Sequence, residues 1–125
     1  RRGGHPGVGR RAVVAWIAYP PIELGRNDPS VTSPFPGNEP ARLERINGIV
    51  RKVASTRDWM AVIDLDEYAT TFPDGPLDAE YRPDGVHFTV ETGERLLRAW
   101  LGQQIRDAYD RHQPDARPLE EKASD

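Results

Sequence analysis

Asp84 and His87 stand three positions apart within Arg82-Pro83-Asp84-Gly85-Val86-His87-Phe88-Thr89, and those residue types at that spacing have a specific chemical use. Residues three apart in a turn face the same way, so the Asp84 carboxylate can accept a hydrogen bond from Nδ1 of the His87 imidazole. A carboxylate so placed fixes the ring tautomer, stabilises the imidazolium and leaves Nε2 to take a proton from a hydroxyl nucleophile. Gly85 permits the tight turn between the two, and Phe88 can pin the loop to a core. From spacing alone, an ordinary Asp-Gly turn with a surface or capping histidine is the commoner meaning of such a pair. A second constellation is Val62-Ile63-Asp64-Leu65-Asp66-Glu67, two carboxylates that follow an apolar run. The plainer meaning of Asp64 is a strand-ending carboxylate that binds loop amides.

Both constellations need elements that place them. Ala12-Val13-Val14-Ala15-Trp16-Ile17-Ala18 is a continuous apolar run of strand length, the pattern of a strand covered on both faces in a parallel sheet. Pro20-Pro21 ends it, and a loop rich in Pro, Gly, Asn and Ser continues to about Asn38. From Pro40 the period changes: Leu43, Ile46, Val50 and Val53 are three and four apart, with Arg42, Glu44, Arg45, Arg51 and Lys52 opposite them. This predicts an amphipathic helix capped near Asn38 and ending at Ser55-Thr56. Met60 to Leu65 is a second short strand, so strand, helix and strand follow in the order of a parallel α/β unit. A second loop, Asp66 to Thr89, precedes a closing helix marked by Leu97, Trp100, Leu101, Ile105 and Ala108, with Thr89 or Thr92 as its cap. Ligands of such sheets bind beyond the carboxyl ends of the strands, where both long loops depart.

Composition removes several alternatives. Lys and Arg number 17 against 20 Asp and Glu, a net charge of -3 that provides no basic field for a phosphate backbone, so nucleic acid is not an expected partner. The absence of cysteine excludes disulfides and thiolate chemistry. The longest apolar run is too short to span a bilayer, and no leader pattern is present. Arg1 in place of methionine suggests a processed or truncated product. A mean hydropathy of -0.70 points to residues outside any core. Those are a flexible amino-terminal segment, 1–10, and a polar tail, 109–125, which flank a folded portion at 11–108. His5 and His112 fall in the polar ends and read as solvated. Trp16, Trp59 and Trp100 read as core or sheet-covering residues.

The block Asp84-Gly85-Val86-His87-Phe88-Thr89, followed by Gly93 and a final helix, resembles the last conserved block of the SGNH hydrolases, the GDSL-related esterases and acyltransferases. A strand ending in Pro20-Pro21, a helix with Asn47 near its middle and a strand ending in Val62-Ile63-Asp64-Leu65 are similar to that family's penultimate elements. The resemblance spans roughly residues 11 to 108, about half of such a domain. It implies an incomplete, flavodoxin-like three-layer α/β/α fold with a parallel sheet, two strands of which cannot close a core alone. It also implies His87 as general base and Asp84 as its orienting partner in a Ser-His-Asp triad, with no metal or organic cofactor.

Departures from the family pattern are equally specific. Its Gly-Asp-Ser nucleophile block does not occur here; Ser30 and Ser33 lie on the presumed active edge but beside Pro29 and Pro34 in a loop. Gly25-Arg26-Asn27-Asp28 matches the family's Gly-x-Asn-Asp block literally, yet it stands too far from its strand, and Asn27 reads as a turn residue. The expectation is therefore the carboxyl-terminal part of a serine esterase or O-acyltransferase, inactive alone. Its partners would be the missing amino-terminal half of the same domain and an acylated small molecule or carbohydrate ester. Membrane contact would come only through a fused upstream domain, and the location would be extracytoplasmic or secreted, of bacterial type. Two alternatives stay open: a non-catalytic flavodoxin-like interaction module, and a magnesium phosphatase using Asp64 and Asp66, whose block resembles the haloacid-dehalogenase start except for Tyr68.

Overall fold

Apolar and β-branched residues set the first strand. In a computed structural model of the protein, which describes residues 12–31 and 35–113, β1 spans Val14–Ile17. This is shorter than the apolar run that predicts it, although Ala18 continues the ladder by donating its N–H to the Ile63 carbonyl at 2.9 Å. After the first loop a 3-10 turn at Pro36–Asn38 leads into α1, Pro40–Ser55, and then into β2, Met60–Ile63. β1 and β2 are parallel, with Val14 opposite Met60 and Ile17 opposite Ile63. The chain is thus α/β, with one two-stranded parallel sheet among the described residues.

The second loop is more ordered than its proline and glycine content predicts. It opens on α2, Leu65–Tyr68, and a 3-10 turn at Ala69–Thr71, in which Leu65 and Ala69 are buried. The closing helix starts directly after the first of its two cap candidates: α3 is Val90–Leu96, a π-turn occupies Leu97–Leu101, and α4 is Gly102–Arg111. Thr89, not Thr92, is the cap, its side chain accepting from the Thr92 N–H at 3.1 Å. The helix runs past the expected start of the tail at 109. His112 is not simply solvated, since its Nδ1 lies 2.8 Å from the Asp58 carbonyl. His5 and residues 114–125 lie outside the described residues.

The cap expected near Asn38 falls one residue later. Glu39 occupies that position without a side-chain bond to the helix. The Asn38 amide instead accepts from the Leu24 N–H at 2.8 Å and donates to the Leu24 carbonyl at 3.1 Å, satisfying both backbone groups of a loop residue that no ladder serves.

Burial divides sharply between the two strands. Met60, Ala61 and Ile63 of β2 are buried with Ala18, Leu65, Ala69, Phe72, Leu96 and Ala108. β1 was expected to be covered on both faces, but Val14, Trp16 and Ile17 are 43%, 47% and 37% exposed. The reason is that α1 and α4 make their main strand contacts with β2, so that β1 is the less covered strand among the described residues. Val14 and Ala18 send their N–H groups to the Trp59 and Ile63 carbonyls. With a two-residue period, the backbone groups of Val13, Ala15 and Ile17 therefore point away from β2, to an edge with no strand among the described residues.

The same asymmetry marks α1. Asn47 is buried, with Leu43 and Val50 beside it, while Ile46, Ile49 and Val53 stay exposed although the apolar period places Ile46 and Val53 on the covered side. Trp16 and Trp59 are likewise exposed rather than core. Trp100 does pack, stacked on Tyr68 at 4.2 Å. No helix among the described residues is long and apolar enough to cross a membrane.

Candidate active site

Both long loops leave the carboxyl ends of the strands and meet there. The Glu23 N–H donates to the Gly85 carbonyl at 2.9 Å. Arg26 donates from Nη1 to the Arg82 carbonyl at 3.0 Å and from Nη2 to that of Leu77 at 2.6 Å. Asn27 Nδ2 donates to the Pro83 carbonyl at 2.6 Å. Gly85 is required twice over at this junction. Its φ of +76° is left-handed, and a Cβ there would fall on the Glu23 carbonyl oxygen. Asn27 is thus a loop residue, with a defined task of tying the first loop to the second.

Within this frame Asp84 and His87 are brought together. The carboxylate divides its work: Oδ1 accepts from the Val86 and His87 N–H groups at 2.8 and 2.7 Å, and Oδ2 lies 2.7 Å from His87 Nδ1. The His87 hydrogen bond, followed by the two amides, pushes the Asp84 carboxyl down to about 2. The side chains are 81% exposed for His87 and 52% for Asp84. Nε2 of His87 has no protein partner among the described residues. Ser30 makes no hydrogen bond to it; its hydroxyl donates to Asp28 Oδ1 at 2.6 Å, and Ser33 lies outside the described residues.

Beneath the pair is Arg82, a charged side chain with no exposed surface. Nη1 donates to the carbonyls of Pro21 and Pro76 at 2.6 and 2.7 Å, and Nε and Nη2 to that of Val86 at 3.2 and 3.1 Å. Tyr19 Oη donates to the same Val86 carbonyl at 2.7 Å. The guanidinium also faces the Tyr19 and Phe88 rings at 5.3 and 5.4 Å. Burial lowers its affinity for the proton. Asp78, also buried, performs the corresponding service for the preceding turn. Burial alone would raise its carboxyl, but the N–H groups of Asp74, Glu80 and Tyr81 outweigh this and hold it low.

Sequence reasoning misses Arg82, Tyr19 and Asp78. A buried arginine has no periodic signature, and the only hint is that Arg82 directly precedes the Pro83-Asp84 block. Phe88 does pin the loop as expected, its ring 6.4 Å from Tyr19 and 6.0 Å from Phe72.

The second constellation is arranged differently. Asp64 accepts from Arg51 Nε and Nη2 at 3.2 and 2.9 Å, and both Asp66 oxygens accept from Arg51 Nη2 at 2.8 Å. Asp64 therefore binds a guanidinium and not loop amides, which corrects its plain reading. Arg51 occupies the position between the carboxylates where a divalent cation would have to sit. The hydrogen bonds that Arg51 donates to Asp66 and then to Asp64 raise its pKa. Asn47 Nδ2 completes the cluster, donating to the Tyr19 carbonyl at 3.0 Å and to Asp66 Oδ2 at 3.3 Å. No group of three or more potential metal ligands gathers among the described residues.

Compared with known proteins, the chain matches no family model, no curated protein and no solved structure.

Proposed function

We propose that this chain supplies the acid–base arm of a serine esterase or O-acyltransferase of SGNH type, with His87 as general base and Asp84 as its orienting carboxylate. The observation that carries the reading is the 2.7 Å contact between Asp84 Oδ2 and His87 Nδ1, on a ring whose Nε2 faces solvent. In the reaction proposed, Nε2 accepts the proton of a serine hydroxyl as its oxygen attacks the ester carbonyl. The imidazolium then returns that proton to the leaving alcohol, and an acyl-enzyme remains for water or a second alcohol. An acylated sugar or other small ester is the substrate class.

The serine, and the strands that would complete a flavodoxin-like three-layer sheet, belong in this reading to a segment outside the sequence. The edge of β1 that is unpaired among the described residues, its half-exposed apolar side chains and the exposed Ile46, Ile49 and Val53 on α1 support it. A parallel strand with both faces apolar needs helices over each of them. The experiment is labelling with a fluorophosphonate. A longer protein that includes the upstream region is labelled, and His87→Ala abolishes labelling. An upstream segment without a reactive serine would end the proposal, as would p-nitrophenyl acetate hydrolysis by this chain alone that is lost in His87→Ala.

One observation favours a second reading, a non-catalytic module. Asp84 also accepts two backbone N–H groups, a role that stabilises the turn with or without chemistry. In that case labelling is absent, while Asp84→Ala still destabilises the loop.

A further inference from the structure

The His87 ring stands largely in solvent, so packing does not orient it. Its anchor is the peptide unit joining Val86 to His87, which is held from both ends. The His87 N–H donates to Asp84 Oδ1 at 2.7 Å. The Val86 carbonyl accepts from Tyr19 Oη at 2.7 Å and from Arg82 Nε and Nη2 at 3.2 and 3.1 Å. A fully buried guanidinium is costly unless its donors are satisfied, and here they go to carbonyls and aromatic faces with no carboxylate at ion-pair distance among the described residues. Such a group spans what a neutral side chain could not. Its fork reaches Pro21 in the first loop, Pro76 at the far side of the second, and Val86 beside the histidine. Lysine, a point donor on a flexible stem, cannot reproduce that planar reach.

We propose that Arg82, assisted by Tyr19, is the positioning residue for His87. By clamping the Val86 carbonyl it fixes the backbone from which the imidazole is presented to Asp84 Oδ2, and so sets the Nδ1–H tautomer that leaves Nε2 as the base. This rests on the reading of His87 as a general base, but its test needs no substrate.

The tautomer of a neutral histidine follows the hydrogen bond that its ring makes, and long-range proton–nitrogen correlation spectra of the full chain show which nitrogen carries the proton. The unaltered chain is expected to hold the proton on Nδ1, and Asp84→Asn to release it. Arg82→Lys and Tyr19→Phe are each expected to shift the ratio of the two tautomers toward Nε2–H by about fivefold, the equivalent of one ordinary hydrogen bond. Met60→Ala, a core truncation at the amino end of β2 where it pairs with Val14, is expected to leave the ratio unchanged. Should Arg82→Lys fail to fold, Tyr19→Phe decides alone, since it removes one hydroxyl and keeps the ring. An unchanged ratio in the folded Arg82→Lys and Tyr19→Phe variants overturns the proposal, and so does an equal shift in Met60→Ala, which would mark general loosening. Absence of fluorophosphonate labelling in the longer protein would refute the esterase reading while leaving this measurement intact.

Discussion

Gly85→Ala tests whether the Asp84–His87 loop is held as tightly as its contacts indicate. Two costs add at this position. A side chain at φ +76° carries a left-handed penalty of about 1–2 kcal/mol. The new Cβ would also meet the Glu23 carbonyl and approach Glu23 Cβ to 3.0 Å. Relief requires the two loops to part and gives up the hydrogen bond from the Glu23 N–H to the Gly85 carbonyl, worth about 1 kcal/mol. The sum is about 2–3 kcal/mol of destabilisation, read by urea unfolding at constant m. Gly75→Ala is the internal control, because Gly75 has φ +78° but no atom within 4 Å of its would-be Cβ. It carries only the conformational cost. Gly48→Ala, in open space on α1, is expected to stabilise by about 0.5–1 kcal/mol. A Gly85→Ala variant no less stable than Gly75→Ala would refute the reasoning, for it would mean that the first loop does not press on the second.

Other outcomes follow from the same contacts. Asp84 has a folded pKa pushed down to about 2, so its contribution is fully present above the ordinary carboxylate range and is lost as pH falls through about 2. Carbon NMR of the Asp84 carboxyl is expected to show that low midpoint and an upward move in His87→Ala; an ordinary midpoint in the unaltered chain would show that the pair does not form. Asn47→Ala is expected to cost about 1–3 kcal/mol in chemical unfolding, since it strips the Tyr19 carbonyl of its buried donor. An apolar dye is expected to bind the chain at the exposed Val14, Trp16 and Ile17 surface, to bind less in Trp16→Thr, and to be excluded from the longer protein. With Arg51 between Asp64 and Asp66, release of phosphate from p-nitrophenyl phosphate is expected to be nil with or without magnesium; release that EDTA stops would reverse this assignment.

What could be read from the sequence follows the range over which each signal acts. Strand, helix and strand at 14–17, 40–55 and 60–63 were legible because apolar period is a local property that survives in isolation. So was the meeting of Asp84 with His87, since three intervening bonds and a glycine turn confine it. The exposure of β1 was not, because an apolar run states what a strand needs and not whether its neighbours are present. Arg82 was invisible for a related reason: its partners are the carbonyls of Pro21, Pro76 and Val86, and backbone acceptors leave no mark in side-chain identity. Asp64 was misassigned in detail because its partner, Arg51, was counted on the solvated side of α1.

The π-turn at Leu97–Leu101 has a bearing on how this helix tolerates deletions. Thr92, Leu96, Trp100, Gln104 and Ala108 are all buried or half-buried, a stride of four. In a regular α-helix that stride would drift by about 40° a step, or about 160° from Thr92 to Ala108, and would carry the last contact almost to the opposite side. One additional residue in the wide turn winds back about 100° of it. Deleting a single residue between 97 and 101 should therefore rotate the segment after it out of phase, turning Ala108 away from the sheet while leaving the Thr89-capped portion in place.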